Sequence, residues 1–88
     1  MKLVFKKSFA KDLRQIQDKA VFERVRAVIK EIEGAGDIQE ITSLKKLSGG
    51  RAHYRLRLGD YRLGLVIAGD TVTFVRILHR KDIYRYFP

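Results

Sequence analysis

Tyr54-Arg55-Leu56-Arg57-Leu58-Gly59-Asp60-Tyr61-Arg62-Leu63-Gly64-Leu65 is the stretch on which the fold turns. Tyr54, Leu56 and Leu58 alternate with Arg55 and Arg57, and after Gly59-Asp60 the apolar positions resume at Tyr61, Leu63, Leu65 and Ile67. Alternation with period two marks strands that bury one face. A glycine at the first central position of a two-residue loop suits a type II′ turn, whose twist matches the strands it joins. Such a loop sets Leu58 opposite Tyr61 and Arg57 opposite Arg62, with Arg55 two residues along the same face.

Downstream, a second Gly69-Asp70 pair precedes Thr71-Val72-Thr73-Phe74-Val75-Arg76-Ile77-Leu78, a third strand of the same meander. Its register stays open: a loop of two or four residues puts Val75 and Ile77 on the arginine face, and three residues reverse that, leaving Arg76 unassigned. Upstream, residues 34–51 read as loop, with Gly34, Gly36, Gly49 and Gly50, and the segment 41–47 as a possible docked turn. Val21, Val25, Val28 and Ile32, widened by Phe22 and Ile29, recur at helical spacing in a helix that starts near Asp18 or Lys19 and stops at Gly34. Phe9, Leu13 and Ile16 form the stripe of an earlier helix, with Ser8 as its expected N-cap and an end near Gln17. Residues 2–6 are β-compatible. The fold class that follows is α+β, in the order β-α-α-β-β-β with a short C-terminal tail, as a single domain over residues 1–88. The helix hairpin covers one sheet face and leaves the other to solvent or ligand.

With 88 residues there is room for one modest core. Nineteen Lys+Arg against ten Asp+Glu leave a net charge of +9, which points to a polyanion as partner, nucleic acid first, then an acidic protein or an anionic membrane surface. Cysteine is absent from the sequence, so disulfides and thiolate chemistry are excluded, in keeping with a reducing compartment. No apolar run approaches the ~18 residues of a membrane span, and the lysine-rich start has no apolar h-region. These features lead to the expectation of a cytoplasmic protein. No Walker loop, H-E-x-x-H, G-x-S-x-G or acidic metal cluster occurs, so neither a metal nor a small-molecule cofactor is expected.

Arg55, Arg57 and Arg62 on one face oppose like charges directly, an arrangement that costs stability unless an anion neutralises it. Arginine's planar fork donates two hydrogen bonds to phosphate oxygens, so the row reads as a phosphate site. Keeping an open sheet face soluble is the competing explanation, but mixed charges would serve that equally well. The tail His79-Arg80-Lys81-Asp82-Ile83-Tyr84-Arg85-Tyr86-Phe87-Pro88 is dense in groups that bind phosphate, stack on bases or move protons. Lys45 and Lys46 could extend the basic patch. His53 reads as structural, Tyr86 equally as a packing anchor, and the mixed helix charges as a solvated surface.

Taken together, 44–47 (Leu-Lys-Lys-Leu), the run from Tyr54 to Leu63, and 78–84 (Leu-His-Arg-Lys-Asp-Ile-Tyr) resemble the RelE/ParE superfamily of type II toxins over nearly the whole chain. The resemblance implies a compact domain restrained by a cognate acidic antitoxin in a toxin–antitoxin hetero-oligomer. In RelE-like members it further implies a ribosome-dependent endoribonuclease that cuts mRNA by attack of the ribose 2′-OH on the adjacent phosphate, without a metal. Carried over by motif, the catalytic set is Arg62, Arg80 and Tyr84, with His79 as an additional position, and the RNA-binding set is Arg55, Arg57, Lys45 and Lys46. Arginine stands at 55 and 57 where the best-known RelE pattern has lysine; it is a poor general base, so these two read as phosphate clamps. The ParE branch shares the scaffold and acts on DNA gyrase, and a binding-only relative is a third reading; the His79-Arg80…Tyr84 tail favours the RNase branch.

Overall fold

The computed structural model describes residues 1–48 and 52–88, so Gly49 and Gly50, read above as loop glycines, lie outside the described residues. Along the chain run β1 (Lys2–Phe5), α1 (Lys7–Gln15), α2 (Lys19–Gly34), a 3-10 turn (Ile38–Glu40), β2 (Leu44–Lys46), β3 (His53–Leu58), β4 (Tyr61–Ala68), β5 (Thr71–His79) and a one-turn helix α3 (Ile83–Tyr86). The sheet order is β1-β5-β4-β3-β2, with β1 parallel to β5 and every other pair antiparallel. The expected meander is thus flanked by two edge strands. One of them, β2, lies within the segment read as a docked turn; at three residues it is too short to show alternation in sequence.

Both Gly-Asp loops carry positive φ at the glycine alone, +60° at Gly59 and +61° at Gly69, as a type II′ turn requires. The first places Leu58 opposite Tyr61 and Arg57 opposite Arg62. The second pairs Ala68 with Thr71, but the register then slips: Leu65 faces Phe74 while Gly64 faces Arg76, leaving Val75 as the extra residue of a β-bulge. A two-residue loop therefore does not put Ile77 on the arginine face. Ile77 pairs with Leu63 in the core, and Arg76 turns to the face that carries Arg62.

The core lies between the sheet and the helices. Phe9, Ile16, Val21, Val25, Val28 and Ile32 pack on Leu56, Leu58, Leu63, Leu65, Val72, Phe74 and Ile77, the stripes expected from sequence. Full burial of such a side chain stabilises by about 1.5–3 kcal/mol, which makes this face the main determinant of the register. Asp18 caps α2 through Ala20 N–H at 2.8 Å.

Ser8 does not cap α1, which begins at Lys7 and ends at Gln15; its hydroxyl donates to the Val75 carbonyl at 2.6 Å. The reason is that β1 ends opposite Phe74, so the rest of β5 would be an unpaired edge. One helical turn on from Ser8, Asp12 accepts the Ile77 N–H at 3.1 Å and binds Arg76 through Nε at 2.6 Å and Nη2 at 3.0 Å. Residues i and i+4 of α1 thus replace the missing strand, taking one carbonyl and one N–H of the edge.

Candidate functional site

Alternation along β3 and β4 carries Arg55, Arg57 and Arg62 to the sheet face away from the core, and pairing of Lys45 with Arg55 adds Lys45 to it. The antiparallel return of β5 sets His79 opposite Tyr61, so that the next residue, Arg80, comes beside the Gly59-Asp60 turn, where its N–H donates to the Asp60 carbonyl at 2.8 Å. Arg80 Nε lies 3.9 Å from Asp60 Oδ1. The Arg62 guanidinium bends back toward the same turn, donating from Nη1 to the Gly59 carbonyl at 2.6 Å and the Tyr61 carbonyl at 2.9 Å.

Partial burial first, and then the like charges of Arg57, Arg55 and Arg80, hold the Arg62 guanidinium below its usual range, while Asp60 pulls the other way. Four guanidinium groups therefore share one electrostatic neighbourhood, with one carboxylate beside them. An anion placed among them would accept charge-assisted hydrogen bonds and remove the repulsion at once.

The face is not wholly open, contrary to the expectation from the alternation of β3 and β4. The C-terminal tail folds back across it, held by Ile83 and Phe87, which are 1% and 2% exposed. Phe87 lies over Gly64, where a Cβ would meet its ring at 2.7 Å, and its ring centroid is 5.3 Å from that of His53. His53 is structural as read, though its Nδ1 is buried without a hydrogen-bond partner. The signal for this docking is the helical i, i+4 spacing of Ile83 and Phe87, masked in sequence by the polar residues around them.

The docked tail sets Tyr84 against the arginine row, with Arg55 Cζ 5.2 Å from its ring centroid, and Tyr86 over Arg76 at 5.4 Å. Both tyrosines stay exposed, 63% and 54%, so Tyr86 is not the packing anchor. Hydrogen bonding to Asp12 raises the Arg76 guanidinium above its usual range, and that ion pair leaves it less available to an external anion than the row on β3 and β4.

The structure thus brings together Arg55, Arg57, Arg62, Arg80, Tyr84 and Lys45. It does not bring in His79 or Lys46. His79 packs edge-on against Tyr61 at 5.7 Å, beside α1 and on the core side of the strand, and its Nδ1 accepts the Lys81 N–H at 3.2 Å. Lys46 pairs with Tyr54, one residue out of phase with the arginine face. The residue missed in sequence is Asp60, which holds the start of the tail to the turn.

The architecture is thus an α+β sheet backed by a helix hairpin, with a basic outer face crossed by its own C-terminus. Residues 3–84 match the family model described as ParE toxin of type II toxin–antitoxin system, and the chain belongs to that family. It is 39% identical, over the full length of both chains, to Toxin RelE3 of Methanocaldococcus jannaschii. Among solved structures, the RelB-RelE antitoxin-toxin complex from Methanococcus jannaschii aligns with a TM-score of 0.81 at 38% identity, covering 97% of this chain and 99% of that one. The archaeal RelE-RelB complex from Pyrococcus horikoshii shares the fold, with a TM-score of 0.71 at 24% identity over 90% of this chain and 93% of that one. No helix among the described residues is long and apolar enough to cross a membrane.

Proposed function

We propose that the protein is an mRNA-cleaving toxin of the RelE type, acting on ribosome-bound message and restrained by an acidic RelB-like antitoxin. The observation that carries this reading is the meeting of Arg62 and Arg80 with Tyr84 on one surface, Tyr84 standing over Arg55 at the border of the arginine row. In the reaction the ribose 2′-oxygen attacks the adjacent phosphorus and the 5′-oxygen of the next nucleotide departs, leaving a 2′,3′-cyclic phosphate and a 5′-hydroxyl. Arg62 and Arg80 stabilise the charge that develops on the phosphorane, a contribution worth about 10²–10³ in rate for each well-placed donor. Tyr84 shuttles the proton, and Arg55, Arg57 and Lys45 grip the flanking phosphates. The antitoxin partner is supported by the relatives solved as RelB-RelE complexes, and by the charge of +9 that an acidic chain would neutralise.

The ParE name of the matching family keeps gyrase as a second target to test. Primer extension on mRNA bound to translating ribosomes, run beside a gyrase supercoiling and DNA-cleavage assay, separates the two. Message cut only when ribosomes are present is expected; gyrase-trapped DNA breaks with intact message would overturn the RNase reading.

A further inference from the structure

Tyr84 sits on a helix of one turn, and an element that short does not hold its own shape in water. Its 63% exposure shows that its own packing contributes little, so its position against Arg55 has to come from neighbouring residues. Two side chains of the tail are buried, Ile83 and Phe87, and neither belongs to the main core; they pack on the opposite face of the sheet. Beneath Phe87 the strand offers Gly64, and a methyl group there would lie 2.7 Å from the Cγ and Cδ2 atoms of the ring, closer than packed carbon atoms come. The φ of Gly64 is not positive, so backbone conformation does not require glycine here. What requires it is the ring.

We infer that Phe87, seated in the hollow left by Gly64, is a positioning residue that holds Tyr84 over Arg55, so that a single methyl group added at position 64 would disarm the site without altering any group that touches RNA. The role assigned to Tyr84 rests on the RNA-cleavage reading above; the placement of Tyr84 does not. Because Phe87 lies outside the main core, losing it leaves Ile83 as the one buried side chain of the short tail helix, too little to fix the direction of Tyr84, and leaves the helix-facing packing of Leu63 and Ile77 intact. Arg57 and Arg62, built into strands, keep their places and continue to bind phosphate.

The test compares wild type with Phe87→Ala, Phe87→Leu and Gly64→Ala. Nuclear Overhauser contacts between the Tyr84 ring and the Arg55 side chain are measured in the free protein, with the Leu63 and Ile77 methyl signals as the control for folding. Single-turnover cleavage of ribosome-bound mRNA gives the rate at saturation and the half-saturating concentration. In Phe87→Ala and Gly64→Ala the Tyr84–Arg55 contact is expected to vanish, and the saturated rate to fall by about 10²-fold, as misplacement of a reacting group does. The half-saturating concentration should stay within about twofold, since the strand-borne phosphate contacts are retained. Phe87→Leu refills the hollow and should retain most of the rate. Adding Tyr84→Phe to Phe87→Ala should cost nothing further, because both changes remove one function. Persistence of the contact in Phe87→Ala, or losses that multiply in the double variant, would overturn the proposal. A wild-type protein that cuts no RNA would instead sink the cleavage reading, and the Overhauser contact would still decide the role of Phe87.

Discussion

Asp12 binds Arg76 in a two-point ion pair while also accepting the backbone N–H of Ile77, so one buried carboxylate closes the edge of β5 and orients a side chain on its outer face. The arrangement predicts a specific fragility. Asp12→Ala leaves a half-buried guanidinium unpaired and an amide without its acceptor, and is expected to destabilise by about 3 kcal/mol. Asp12→Asn retains an oxygen for Ile77 and should cost clearly less. Urea denaturation monitored by circular dichroism distinguishes them; equal losses would assign the effect to the charge alone.

The opposition of Arg57 to Arg62 predicts the reverse sign at a neighbouring position. Removing one like charge from a cross-strand pair relieves about 0.2–1 kcal/mol, so Arg57→Gln should raise thermal stability at low ionic strength and lose that advantage in high salt. A lowered guanidinium pKa in the fold means that Arg62 is charged at a cost to stability. That cost is recovered only by deprotonation at strongly alkaline pH, so across the neutral range it is constant. Anions should relieve it instead: inorganic phosphate is expected to raise the melting temperature more than chloride at equal ionic strength.

Affinity for RNA should report the phosphate contacts one by one. Each contact to a single strand contributes about 0.7 to the slope of log K against log salt, so Arg55→Gln and Arg57→Gln should each reduce the slope by about that amount. Lys46→Gln, on the other side of its strand, should leave it unchanged. Fluorescence anisotropy with a labelled oligoribonucleotide over a salt series gives the values, and an unchanged slope in the arginine variants would deny that they touch phosphate.

Catalysis should separate residues that sequence grouped together. Arg62→Ala, Arg80→Ala and Tyr84→Phe are expected to lower mRNA cleavage by about 10²-fold or more, and His79→Ala to leave it near wild type, because His79 packs on Tyr61 instead of facing the row. Primer extension on ribosome-bound message measures all four. A dead His79→Ala protein that is still folded would return histidine to the mechanism.

How far the sequence was legible depends on how each feature is encoded. Arg57 opposite Arg62 could be read directly, because a two-residue turn leaves no freedom in the register it imposes. The stripe of α2 was equally plain, with Val21, Val25, Val28 and Ile32 all buried. Ser8 misled because a serine ahead of an apolar stripe ordinarily caps its own helix, whereas here an unpaired carbonyl of β5 competes for the hydroxyl. The crossing of the tail over the arginine face depends on Gly64 and Phe87, 23 positions apart in the chain, and neither carries a local pattern that announces the other. Arg62 and Arg80 become neighbours for a related reason, since only the return of β5 beside Tyr61 brings the tail to the turn.

The supernumerary residue at Val75 sets the phase of the distal part of β5. Were the ladder to run on without the slip, Ile77 would be exported to water and Arg76 drawn toward the helices, although the sequence would be the same. Deleting Val75 would instead straighten the ladder with Arg76 still opposite Gly64 and Ile77 still opposite Leu63, at the loss of the carbonyl that Ser8 holds.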